Sequence, residues 1–72
     1  MESWRIQVSD SLLRLDQVRA RTGLSRSSVY AKVANGEFPK PVAIGSRAVA
    51  WVESEIAAWI QARIESSRRA VA

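Results

Sequence analysis

The chain has 72 residues, no cysteine, no histidine and a net charge of +4. A domain of this size buries only about 60% of the surface of its unfolded chain, which leaves room for one small core and little for a deep active-site cleft. The composition excludes disulfides, thiol chemistry, most transition-metal sites and the usual general base, and it leaves the redox compartment open.

No apolar run approaches the roughly 18 residues of a membrane span. The opening "MESWRIQVSD" lacks the basic start and apolar stretch of a signal peptide. A soluble cytoplasmic protein with no cofactor and no membrane partner is therefore expected. The charge is concentrated in the middle. Seven cations and two anions between Arg14 and Arg47 give that stretch +5, while the two ends together are close to neutral. A local basic field suits a phosphate backbone, although a basic solvated surface would have the same composition.

Residues 1–11 are polar with a weak alternation of Trp4, Ile6 and Val8, and read as an edge strand or a loose arm. The apolar run Leu12–Leu15 is too short for a helix and reads as a strand. Asp16 can cap a helix through "DQVRART", with Val18 inward and Gly23 as its stop. Leu24 is an apolar turn residue. Ser25 is a good N-cap for a second helix, whose buried stripe is Val29 and Val33. Asn35-Gly36 ends that helix, and Pro39 and Pro41 forbid its resumption.

Two short apolar stretches, Val42–Ile44 and Ala48–Val52, flank Gly45-Ser46-Arg47 and predict a β-hairpin. A last helix starts near Glu53, with Glu53 and Glu55 complementing its dipole. Ile56, Trp59, Ile60 and Ile64 form its apolar face. The end, "SSRRAVA", is expected to fray. The chain thus divides into an N-terminal arm (1–11), a folded domain (12–65) and a C-terminal tail (66–72).

Two short helices joined by a glycine-containing turn are the helix-turn-helix pattern, whose second helix reads base edges in the major groove. The expected fold is mainly α with a small β-hairpin. It is a winged helix-turn-helix of three helices, a short N-terminal strand and a wing. Ser25, Arg26, Ser27 and Ser28 occupy the turn that meets DNA first. Serine can donate or accept there, and arginine can bond guanine in a bidentate fork. Arg47 stands at the wing tip. The candidate DNA-contacting residues are Ser25, Arg26, Ser27, Tyr30, Lys32, Lys40 and Arg47. Plainer readings stand beside them: Ser25 as a helix cap, Tyr30 as a cover for the core, Lys32 and Lys40 as solvated charges. Trp51 and Trp59 read as core, with a stacking platform for single-stranded nucleic acid as the sharper alternative.

The segments "TGLSRSSVY", "GEFPKPV", "RAVAW" and "ESEIAAWI" together resemble the AlpA family of prophage regulatory proteins, over about Leu12–Ile64. The resemblance implies a winged-helix fold related to MerR-type DNA-binding domains and phage excisionases. It also implies binding to specific duplex DNA sites and regulation of a phage-derived operon. Family members often carry a basic residue where this chain has Ala31, and an apolar one where it has Lys32. Three functional classes follow: a transcription regulator, an excisionase-like architectural protein that assists an integrase, and a protein-interaction module. Double-stranded DNA is the partner of the first two, with self-association on DNA left open. The carboxylates are scattered or sit at helix starts, and no nucleophile–base pair is visible, so no enzymatic activity is expected.

Overall fold

Helix caps and chain breakers divide the sequence into its elements. The computed structural model of the chain describes residues 11–71. In order, these form β1 (Leu12–Leu13), α1 (Leu15–Thr22), α2 (Arg26–Ala34), β2 (Val42–Gly45), β3 (Ala48–Val52) and α3 (Glu53–Val71). The sheet is antiparallel with order β1-β3-β2. Three helices, the sheet and its hairpin make the winged helix-turn-helix arrangement. The alternation of Trp4, Ile6 and Val8 lies outside the described residues.

The run Leu12–Leu15 does not form one strand. Only Leu12 and Leu13 pair with β3, opposite Val52 and Trp51. The chain then turns at Arg14, and Leu15 is already helical. Asp16 is therefore not the cap of α1. The Arg14 N–H is satisfied by Gln17 Oε1 at 2.9 Å, and Asp16 lies in the first turn, where its charge complements the helix dipole. This earlier start lets both leucines reach the core, Leu13 from the strand and Leu15 from the helix.

Gly23 ends α1 at φ +76°, and its N–H donates to Arg19 O at 2.8 Å. A Cβ there would meet nothing within 4 Å, so only the left-handed backbone calls for glycine. Ser25 then caps α2, with the Ser28 N–H donating to its Oγ at 3.1 Å. The hairpin pairs Val42 with Ala50, Ala43 with Val49 and Gly45 with Ala48, with a bulge between Ala43 and Gly45. Gly45 is thus the last strand residue, and Ser46-Arg47 alone make the turn.

The core comprises Leu13, Val18, Val29, Phe38, Trp51 and Ile56, with Ala50 also buried. Leu24, Val33, Trp59 and Ile60 pack around it. Burial of each large apolar side chain contributes about 1.5–3 kcal/mol. Phe38, inside the Gly36–Pro41 breaker, belongs to this core although no periodic pattern contains it. It meets Trp59 edge-on, with ring centroids 4.8 Å apart. Both indoles also hold this linker: Trp51 Nε1–H donates to Pro39 O at 2.9 Å and Trp59 Nε1–H to Glu37 O at 2.8 Å. Trp51 is fully buried, which removes it as a stacking platform.

Residues 66–71, read from the sequence as a tail, are helical in the structure. Helix α3 continues through Val71. No glycine or proline follows Pro41 except Gly45, and Arg68 and Arg69 complement the negative end of the helix dipole. No helix among the described residues is long and apolar enough to cross a membrane.

Candidate nucleic-acid interface

The rotation of α2 decides which of its side chains face outward. Val29 is fully buried and Val33 partly so. At roughly 100° per residue, Ser27, Ala31 and Ala34 then lie opposite, along the exposed ridge. Arg26 and Tyr30 occupy one flank of that ridge and Lys32 the other.

The Arg26 flank faces a cleft. Arg14 before α1, Arg26 and Tyr30 on α2, and Arg47 at the hairpin tip all line a concavity of about 530 Å³, together with Asp16. Three cations and one carboxylate give this lining a charge of +2. Among the described residues the ion pairs are Arg21–Glu53 at 2.8 Å and Lys32–Glu37 at 4.0 Å, and neither involves the cleft.

Tyr30 carries both roles read for it as a core cover and a surface group. Its ring meets buried Trp51 edge-on, with centroids 6.2 Å apart. It remains 39% exposed, and the Arg26 guanidinium carbon lies 5.7 Å from the ring centroid. The core thereby orients an arginine at its edge through one cation–π contact.

The remaining candidates lie apart from this cleft. The Ser25 oxygen is engaged as the α2 cap, and its hydroxyl donates to Ser28 Oγ at 3.0 Å. Ser27 is exposed on the ridge. Lys32 is half-buried beside Glu37. Lys40 lines a separate groove of about 690 Å³ between the Gly36–Pro41 linker and α3. The structure thus brings Arg26, Tyr30 and Arg47 together and leaves Lys32 and Lys40 elsewhere. Arg14, which sequence reasoning did not single out, joins them. The signal was its membership in the basic run, but reading Leu12–Leu15 as a strand hid its place at a helix start.

A second cluster holds the frame of this face. Glu53 accepts from the Ser11 hydroxyl and pairs with Arg21, and its own N–H donates to Ser11 O at 2.8 Å. The start of β1, the last turn of α1 and the start of α3 meet there. The Ser11 hydroxyl, and then the Arg21 guanidinium, hold the Glu53 carboxyl below the usual carboxylate range.

Residues 11–64 match the family described as Prophage CP4-57 regulatory protein (AlpA). The chain is similar to the uncharacterized protein ORF88 of Enterobacteria phage P4, at 42% identity over 60 residues that cover 83% of this chain and 68% of the relative. It is also similar to the DNA-binding transcriptional activator AlpA of Escherichia coli (strain K12), at 33% identity over 58 residues that cover 72% of this chain and 83% of the relative. The matched stretch contains β1, both helices of the helix-turn-helix, the hairpin and the core-bearing part of α3. Sequence match and architecture agree, and the chain belongs to the AlpA family of prophage regulatory proteins.

Proposed function

We propose that this protein binds duplex DNA sequence-specifically and regulates transcription of a prophage or integrated element. Helix α2 enters the major groove and the hairpin tip reaches the flank. The observation that carries this reading is the shared cleft of Arg26 on α2 and Arg47 on the hairpin, which come from different elements. The ridge is made of Ser27, Ala31 and Ala34. Such small side chains let a helix backbone approach base edges closely, and the serine hydroxyl can donate or accept there. The arginines alongside supply the attraction to the phosphate backbone that any duplex binder needs. The name of the Escherichia coli relative, a DNA-binding transcriptional activator, supports the same reading.

In this account residues 12–65 form the DNA-binding unit. The test is footprinting of the full chain on the DNA upstream of its own gene. A protected major groove with an adjacent protected flank is expected. Absence of any protected site there, at protein concentrations that coat unrelated duplex, would overturn the proposal.

A further inference from the structure

We infer that Arg14, Arg26 and Arg47 form one seat for a single backbone phosphate of the bound duplex. This rests on the DNA-binding reading above and goes further, because it assigns Arg26 to the backbone rather than to a base and adds Arg14 to the contact surface.

The shape of the site comes first. A base edge lies at the floor of a groove and is reached by what protrudes from a protein. A phosphate protrudes from the duplex and can enter a recess. Ser27 and Ala31 are on the ridge, whereas the three arginines line a concavity of about 530 Å³. A recess of this kind receives a group that protrudes from the duplex, as a phosphodiester does, whereas a base pair stays in its stack.

Charge points the same way. Three arginines line one cleft, and among the described residues no ion pair engages them. Asp16 offsets one charge and leaves +2, enough to attract a singly charged phosphodiester. The guanidinium fork also matches a pair of phosphate oxygens, with donors fixed in a plane. Arg26 is already oriented, because its guanidinium carbon rests 5.7 Å from the Tyr30 ring centroid. The three residues come from the chain before α1, from α2 and from the hairpin turn. One phosphate would therefore lock together all the elements that must sit in register on the duplex.

The experiment uses the full chain and the footprinted duplex, with affinities taken over a salt series. R14A, R26A, R47A, their pairs and the triple variant are compared, with circular dichroism to establish that each is folded. Log affinity falls with log salt by about 0.9 per phosphate neutralised. With one shared phosphate, each single variant weakens binding about tenfold with little change in slope. The triple variant lowers the slope by about 0.9, and its loss is well short of the product of the three single losses. One methylphosphonate linkage in the duplex should then make wild type and all three single variants bind alike. Lysine at each position should keep the wild-type slope.

Three independent contacts would lower the slope by about 0.9 for each arginine removed and by about 2.7 for all three, and would respond to three different linkages. Either result overturns the shared seat while leaving DNA binding intact. Competition by inorganic phosphate beyond that of sodium chloride at equal ionic strength, lost in the triple variant, would support the seat, because an anion held there excludes the backbone phosphate. A wild type that binds no duplex overturns the functional reading and the seat together.

Discussion

The Arg26 guanidinium carbon lies 5.7 Å from the centre of the Tyr30 ring, one helical turn further along α2. Because that ring also abuts the buried Trp51, the direction of an exposed arginine is set by the core. Replacing Tyr30 by leucine removes the cation–π contact, which at an exposed site contributes about 0.5–1 kcal/mol. Tyr30→Leu should weaken duplex binding about two- to fivefold, and Tyr30→Phe should bind like wild type. A loss of the same size in both variants would transfer the role from the ring to the hydroxyl.

Phe38 fixes the linker between α2 and the hairpin. Its ring is buried and meets Trp59 edge-on. Phe38→Ala should cost about 3–4 kcal/mol, enough in a domain of this size to lower Tm by roughly 20–25 °C. Trp59→Ala should be destabilising by about 3 kcal/mol, since it removes the packing and also frees the Glu37 carbonyl. Thermal unfolding followed by circular dichroism checks both. A Tm within a few degrees of wild type for Phe38→Ala would mean that the linker is held by the tryptophan hydrogen bonds alone.

Acid should loosen the junction at Glu53. Its carboxyl is held below the ordinary value of 4.5 by Ser11 and Arg21 in the folded state. The unfolded chain therefore takes up a proton first as pH falls. The stabilisation is complete above the ordinary carboxylate range and is lost as pH drops through the lowered folded value. Glu53→Gln should be less stable than wild type at neutral pH, and the difference should shrink on acidification. Urea midpoints measured at both ends of that range give the comparison. A gap that stays constant with pH would show that the carboxylate charge contributes nothing.

Arg47 separates a backbone contact from groove insertion. With Arg47 on a phosphate, Arg47→Ala should weaken binding equally on sites that share one core and differ in their flanks. Insertion into the minor groove would instead make the loss largest on A·T-rich flanks, where the groove is narrow and its potential more negative. That flank dependence would contradict the shared phosphate seat.

Much of the fold is legible because its punctuation is local. Ser25 caps its helix by a contact three residues away, and Gly23 stops its helix by its own backbone conformation, so sequence alone reveals both. Phe38 is hidden for the opposite reason. It stands between a glycine and a proline, and its burial depends on Trp59, 21 residues later. The start of α1 is not legible because a leucine run carries no period, and the Gln17 contact that ends the strand is one of several local choices. The length of α3 follows from the absence of a breaker, although its end makes little contact with the core and gives no apolar pattern. In the candidate interface, Arg26 and Arg47 could be named from their elements, but their meeting in one cleft with Arg14 depends on how hairpin and helices pack. Lys32 was separable in principle. Six residues of helix turn it roughly 120° from Arg26.

The central claim is that the α2 and hairpin face recognises a particular duplex. It is tested most directly by titrating wild type and the Arg26→Ala, Arg47→Ala double variant onto the footprinted duplex and onto a shuffled duplex of equal composition, at one salt concentration. The account predicts that wild type prefers the footprinted duplex by at least roughly a thousandfold. The folded double variant should lose much of its affinity for both duplexes, because removing backbone contacts weakens binding across sequences. A double variant that binds both duplexes as wild type does, or a wild type that does not distinguish them, would contradict it.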